Sequence, residues 1–347
     1  VQEAHKRGMK IVMDAVFNHT GREFFAFEDI MEKGEKSKYL DWYYIEKFPL
    51  KSERGEIPNY KCFGYYGGMP KLNLKNPEVE KFITDVACYW IKECNIDGWR
   101  MDVGDEISHY FWKNFRRAVK AVKKDILIIG EIWHYAGDFL EGDEWDTVMN
   151  YPFYLNLIDL LADEKINVSQ FIQNLGYLKG RLNKKCYPLM WNLIDSHDTA
   201  RFLHLCNDNK KKQHLAAAFQ LLLPGMPMIY YGDEFAMPGA NDPDCRRGMY
   251  WDEEYQDKEM FEWYKQLLKV RKNHACIVEG EPMEIAARDE EETIVLTRKN
   301  GEETLALIFN CSSSARVFNE YAQKYDLLRE NPFDGKIAGL DAAVIVL

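Results

Sequence analysis

The chain has 347 residues, 46% hydrophobic and 29% charged, an ordinary globular composition with room for one large domain and a small one. A formal net charge of −11 supplies no basic face, so binding to a nucleic-acid backbone is excluded. No apolar run approaches the roughly 18 residues of a membrane span, and the eight cysteines contain no C-x-x-C pair, as expected of reduced thiols in a cytoplasmic protein.

Residues 1–8 read as the end of a helix stopped by Gly8. Residues 10–17 (K-I-V-M-D-A-V-F) form a compact apolar strand that ends in Asn18-His19-Thr20. Residues 21–76 are aromatic, Gly-rich and irregular, and a loop of that length in a compact domain is a functional excursion. Its aromatic side chains are either the small core of the excursion or a wall for a flat ligand. An amphipathic helix over 77–94 leads into a strand over 96–103, and a helix over 108–124 leads into a strand over 125–131. A short strand at 147–151, helical material to about 182, a strand at 189–195, a helix at 213–223, a strand at 226–231 and a helix at 258–273 complete the run. Lys210-Lys211-Lys212 reads as a solvated helix start. Short alternating segments after residue 276 predict a small all-β domain, a sandwich.

Strands alternating with helices imply a parallel sheet with right-handed crossovers. Polar residues recur at the strand ends: Asn18 and His19, Asp102, Glu131, Asp195 to Asp198, Asp233 and Glu234. Convergence of many strand ends on one site is the signature of a (β/α)₈ barrel. Only six strands are visible, so the expectation is that two strands with their helices lie upstream, and that a six-stranded piece has little activity. The domains expected are a partial barrel over 1–20 and 77–275, an excursion over 21–76 and a β domain over 276–347.

The stretch D-G-W-R-M-D-V-G-D-E, residues 97–106, carries the sharpest signal. Arg100 and Asp102 stand two apart and share one side of a strand that should otherwise be apolar. A lone R-x-D is equally well a structural ion pair. Four strand-end carboxylates, Asp14, Asp102, Glu131 and Asp198, break that tie, because two suffice to cleave a glycosidic bond. Arg100 should keep Asp102 ionised, as a nucleophile requires. Glu131, between Gly130 and Trp133, has a setting in which desolvation keeps an acid protonated. His19 and His197 are either sugar-hydroxyl donors or hydrogen-bonded structural residues. Metal ligation by Asp195, His197 and Asp198 is the competing chemistry, opposed by the absence of H-x-H and H-x-x-x-H pairs and by the cationic Arg100.

D-A-V-F-N-H (residues 14–19), G-W-R-M-D (98–102), G-E-I-W-H (130–134) and S-H-D (196–198) resemble, in order, the four signature regions of the α-amylase family of glycoside hydrolases. M-P-K-L-N (69–73) and Y-Y-G-D-E…G-A-N-D-P-D-C-R-R (230–247) resemble its neopullulanase, cyclomaltodextrinase and maltogenic amylase subgroup. The resemblance implies that Asp102 is the nucleophile, Glu131 the acid/base and Asp198 the transition-state stabiliser. It implies that Arg100, His19 and His197 hold the glucose at the cleavage point and that Asp242 and Arg246 contact substrate. Trp133 and His134 line the acceptor side, and Asp14 and Asn18 support the site. The implied fold is a (β/α)₈ barrel with an excursion after the third strand and a C-terminal β-sandwich. The implied activity is retaining hydrolysis of α-1,4 or α-1,6 bonds in cyclomaltodextrins, pullulan or maltooligosaccharides. An oligo-α-1,6-glucosidase or debranching enzyme and a non-catalytic carbohydrate-binding homologue are the alternatives. No cofactor is required; calcium, where the subgroup uses it, belongs to the N-terminal domain, which also builds homodimers. The chain departs from the subgroup after Asp102, where V-G-D-E replaces the usual V-A-N-E.

Overall fold

The computed structural model describes residues 1–51 and 57–347, so residues 52–56 of the excursion lie outside the described residues. The chain divides into two compact units, Val1–Ile132 with Ala136–Met149, and Trp133–Tyr135 with Asn150–Leu347.

The first unit is built on four parallel strands in sequential order, β1 (Val12–Ala15), β2 (Gly98–Met101), β3 (Leu127–Gly130) and β4 (Thr147–Val148). The register pairs Asp14 with Arg100, and Met101 with Gly130, so the polar strand ends share one edge of the sheet. The helix Pro77–Cys94 that feeds β2 is set by local chemistry. The Asn76 side chain accepts from the Glu78 amide, Pro77 takes the first turn, and Asn95 stops the helix in the left-handed region. Its buried residues Val79, Ile83, Ala87 and Ile91 recur every fourth position, which makes one apolar stripe. The helix His109–Val122 is capped by Ser108 and buries Phe111, Trp112, Phe115 and Val119.

Trp145 accounts for the glycine in V-G-D-E. A Cβ on Gly104 would stand 2.7 Å from its ring, and one on Gly130 only 2.2 Å. The ring itself stacks on Phe139 at 4.1 Å. The excursion resolves the alternative posed for its aromatics into a core: Phe27, Trp42, Tyr43 and Tyr60 are buried, with Phe27 5.0 Å from Tyr43 and 5.1 Å from Tyr60. Tyr65 and Tyr66 remain exposed.

The second unit holds β5 (Trp191–Leu193) and β6 (Met226–Met228), which pair in parallel. The helix Val168–Arg181 begins with a reciprocal cap between Asn167 and Gln170. The helix Lys210–Leu222 starts at the lysine run expected to be solvated and is then buried from Leu215 to Leu222. Its surroundings explain that burial, because a sheet covers it. The sheet has six antiparallel strands in the order β12 (Asn331–Pro332), β11 (Tyr325–Asp326), β14 (Asp341–Val346), β9 (Glu303–Asn310), β8 (Thr293–Asn300) and β7 (Glu281–Arg288). Alternate residues of β9 face opposite ways. Leu305, Leu307 and Phe309 join the core of the helices, with Phe309 stacked on Phe219 at 4.2 Å. Ala306 and Ile308 join a second core with Phe318, Phe333 and Ile337. Only a two-stranded ribbon, β10 (Arg316–Val317) with β13 (Lys336–Ile337), lies in the second layer, so the sandwich expected at the C-terminus is markedly unequal. Helices occupy the face where a full second sheet was expected. No helix is long and apolar enough to cross a membrane, among the described residues.

Candidate active site

In the first unit a single guanidinium organises the strand ends. Arg100 Nη1 donates to Asp14 Oδ1 and to Asp102 Oδ1, both at 2.8 Å, and Arg100 Nη2 lies 3.0 Å from Glu131 Oε2. The parallel register makes this possible, since Asp14 pairs with Arg100 across one strand boundary and Glu131 follows β3 directly. Val103 completes the arrangement. Its amide donates to Glu131 Oε2 at 2.9 Å from a left-handed conformation, φ 48 and ψ 42. A β-branched residue rarely takes that conformation, and holding it there costs of order 1–3 kcal/mol.

Arg100 opposes ionisation loss at Asp102 but does not outweigh burial. Desolvation is the largest influence and Glu131 adds like charge, so the Asp102 carboxyl sits above the usual carboxylate range. Burial would lower the Arg100 value, but Glu131, Asp14 and Asp102 together raise it, so the guanidinium stays charged. His19 is buried, its pKa is lowered chiefly by that burial, and its ring stacks on Phe63 at 5.2 Å. Beside it, Lys71 Nζ donates to Asn18 Oδ1 at 2.5 Å and to Glu106 Oε2 at 2.7 Å, while Asn18 Nδ2 donates to Glu106 at 3.0 Å. Lys71 and Glu106 thus tie the M-P-K-L-N segment to the strand end.

In the second unit Asp198 is held by Arg246 Nη2 at 3.2 Å, and Arg246 Nε in turn lies 2.6 Å from Asp242 Oδ1. His197 Nε2 lies 3.3 Å from Asp198 Oδ2. The Ser196 hydroxyl oxygen accepts from the Asp198 amide at 3.2 Å and from Tyr151 Oη at 3.1 Å. Tyr151 stacks on Trp133 at 3.9 Å, so a continuous chain of contacts links Trp133 to the turn that carries Asp198. His134 Nδ1 lies 3.2 Å from the Tyr135 carbonyl.

A sealed polar cluster lies behind that turn. Arg201 and Asp233 have 0% exposure, and Arg201 Nη1 donates to Asp233 Oδ1 at 3.0 Å. Asp195, also fully buried, accepts from the Phe202 amide at 2.5 Å and shares a side-chain hydrogen bond with Asp233. Two carboxyls can share a hydrogen bond only if one is protonated. Asp233 faces the arginine, so the proton belongs to Asp195, whose value is raised well above normal by burial and then by Asp233. Among the described residues no group of three or more histidines, cysteines and acids is arranged to hold a metal ion.

In the first unit Asp14, Arg100, Asp102 and Glu131 form one network, and Asn18 joins Lys71 and Glu106 in a second beside His19. In the second unit His197, Asp198, Asp242 and Arg246 form one network, Trp133 stacks on Tyr151, His134 lies against the Tyr135 carbonyl, and Asp195 and Asp233 belong to the sealed cluster. Sequence reasoning missed Lys71, Glu106, Tyr151, Ser196 and Arg201. Arg201 did carry a signal, as an arginine that immediately precedes the apolar pair Phe202-Leu203 at the start of a helical segment.

The description "Alpha amylase, catalytic domain" matches residues 1–280. The chain is 44% identical over 315 residues to the cyclomaltodextrinase of Geobacillus thermopakistaniensis (strain MAS1), covering 91% of this chain and 53% of that protein. It is 48% identical over 282 residues to neopullulanase 2 of Thermoactinomyces vulgaris, covering 81% and 48%. The chain spans about half the length of the curated relatives it matches. A solved cyclomaltodextrinase structure superposes with a TM-score of 0.93 at 36% identity, over 99% of this chain and 61% of that one. These matches give the chain the amylase barrel fold with a C-terminal β-sheet domain. The chain belongs to the α-amylase family of glycoside hydrolases, in the branch that holds cyclomaltodextrinases, neopullulanases and maltogenic amylases.

Proposed function

We propose that this protein is a retaining α-glucan hydrolase that cleaves α-1,4 bonds, and α-1,6 bonds where they occur, in cyclomaltodextrins, pullulan or maltooligosaccharides. The observation that carries the reading is the Arg100 guanidinium, which holds Asp102 and Glu131 side by side. Asp102 attacks the anomeric carbon while Glu131 delivers a proton to the departing glycosidic oxygen. Water, deprotonated by Glu131, then releases the sugar from Asp102. Asp198 stabilises the cationic ring between the two steps, held in place by Arg246 and His197. His19, kept neutral by its burial, donates to a hydroxyl of the same glucose. Asp242 acts through Arg246, Asp14 through Arg100, and Asn18 through Lys71. Trp133 and His134 meet the leaving side of the substrate.

The barrel is assigned residues 1–20 and 77–275, the excursion 21–76 and the C-terminal domain 276–347 in this reading. Eight free thiols suit a reducing cytoplasm, and in this reading no nucleic acid, membrane or required cofactor enters the reaction. The test is a product profile of the full-length enzyme on γ-cyclodextrin, pullulan and starch, with the anomer of the first product followed by proton NMR. Maltose or panose appearing first as the α-anomer supports the reading. A β-anomer, or no cleavage of any of the three, contradicts it.

A further inference from the structure

The two oxygens of Glu131 face different surroundings, and the difference is traceable to a buried side chain on the helix His109–Val122. Oε2 accepts from the Val103 amide at 2.9 Å and lies 3.0 Å from Arg100 Nη2. An oxygen that faces an N–H and a guanidinium is the anionic one of the pair. The proton of the loaded acid therefore sits on Oε1. The Val103 amide reaches Oε2 from a bent peptide, φ 48 and ψ 42, where Cβ crowds the backbone. A β-branched residue stays in that region only where its surroundings hold it, so the turn needs a clamp.

Trp112 supplies it. The indole is buried, and its Nε1 donates to the Gly104 carbonyl at 2.9 Å. The Ile107 amide donates to the same carbonyl at 3.3 Å, which closes the short turn Gly104–Glu106. The Trp145 ring fills the space that a Gly104 Cβ would need, and Trp112 meets Trp145 and Phe115 edge-on, each at 5.6 Å. Ser108 caps the helix, so the indole springs from a fixed first turn. A buried indole N–H needs an acceptor, and many such bonds do no more than satisfy it. Here the acceptor belongs to the residue that follows Val103, whose amide holds the acid. All of these groups lie in the first unit.

We propose that Trp112 is a positioning residue for the proton transfer: by fixing the Gly104 carbonyl it aims the Val103 amide at Glu131 Oε2 and keeps the transferable proton on Oε1. The inference rests on the hydrolase reading above, in which Glu131 is the acid. In the first step the Oε1–H bond breaks and its proton passes to the glycosidic oxygen. The electron pair of the bond between that oxygen and the anomeric carbon stays on the oxygen, and Asp102 bonds to the carbon. In the second step water gives a proton back to Oε1, and its oxygen replaces Asp102 on the carbon. A loosened turn lets the carboxyl rotate and puts the proton on the wrong oxygen, so only bonds that need protonation suffer.

The experiment uses the full-length enzyme and compares kcat/KM for γ-cyclodextrin, whose leaving sugar needs a proton, with that for release of 4-nitrophenolate from 4-nitrophenyl α-maltoside, which needs none. Trp112→Phe keeps an aromatic ring and removes the N–H. It should lower the first value by about tenfold or more, part of the roughly 10²–10⁴-fold that a general acid contributes, and the second by less than about threefold. Replacing Trp112 with 3-benzothienylalanine, which puts sulfur in place of the N–H at nearly constant shape, should give the same split with a smaller change in melting temperature. Phe115→Leu disturbs the packing of Trp112 without touching its hydrogen bond, and should lower the melting temperature while leaving the ratio unchanged. An unchanged ratio in both Trp112 replacements overturns the proposal and leaves the hydrolase reading intact. Equal losses on the two substrates overturn it as well, and so does the same split in Phe115→Leu, since each reports general damage. Failure of the unmodified enzyme to cleave either substrate overturns the hydrolase reading and the proposal with it.

Discussion

Each of the two units contains one buried arginine set among carboxylates, and the two clusters serve different ends. In the first, Arg100 faces Asp14, Asp102 and Glu131; fully ionised, one positive against three negative charges leaves −2. In the second, Arg201 faces Asp233, with Asp195 behind it, and one positive against two negative leaves −1. The first can carry its excess because the Asp14 side chain is half exposed and the Val103 amide is turned toward Glu131. The second is shut off from water, so it keeps a proton instead. The same residue types thus make a poised site where solvent reaches them and a structural staple where it does not. Access to water decides between the two, and sequence spacing carries no record of it.

The largest effect that separates the clusters is kinetic. Asp102→Asn should lower kcat by roughly 10⁴-fold or more while leaving the melting temperature unchanged or slightly raised, because it relieves an excess of negative charge. Paired kinetics and thermal melts check it, and a large loss of stability would mean that Asp102 is a staple as well. In the sealed cluster the order reverses. Asp233→Asn leaves Arg201 buried without its carboxylate and should cost about 3–5 kcal/mol in urea unfolding.

Asp195→Asn tells which carboxyl holds the proton. An amide there can donate to Asp233 and accept from the Phe202 amide, so the change at neutral pH should stay within about 1 kcal/mol. Its signature is in the pH dependence. The folded value of Asp195 is raised, so the folded state binds a proton that the unfolded chain has released. That stabilisation is complete below the ordinary carboxyl value near 4 and drains as pH rises toward the folded value, by at most about 1.4 kcal/mol per pH unit. As pH rises above about 4, the unmodified protein should therefore lose stability with a steeper slope than Asp195→Asn. Parallel slopes would place the proton elsewhere. For the open cluster the raised Asp102 value predicts an acid limb of kcat/KM above that of an ordinary aspartate near 4, reported as a value of the coupled Asp102–Glu131 pair.

Two smaller changes probe what surrounds the open cluster. Gly104→Ala should cost about 1–3 kcal/mol by driving a methyl into Trp145, and Trp145→Phe should recover part of it. Lys71→Met removes an ion pair that is partly exposed, so stability should change by no more than about 1 kcal/mol while KM rises through the loosened Asn18 and His19 end.

The six strands were legible because each is a short apolar run that stops at a polar residue, and the helices because caps such as Asn76 and Ser108 stand where the period begins. The grouping of Asp14, Arg100, Asp102 and Glu131 was legible because parallel register brings strand ends together. Contacts made across long stretches of chain were not. Nothing near Gly104 in the sequence points to Trp145, and nothing near Arg201 points to Asp233. The position of the C-terminal sheet was hidden for the same reason, since β9 reads as buried on both faces without saying that one of those faces meets a helix.

In the proposed reaction Asp102 is the group that forms a bond to sugar. Incubation with 5-fluoro-α-glucosyl fluoride, followed by proteolysis and mass spectrometry, should find one covalent hexosyl adduct on the peptide containing Asp102, and none in Asp102→Asn. An adduct on Asp198 or Glu131 in the unmodified protein would contradict it.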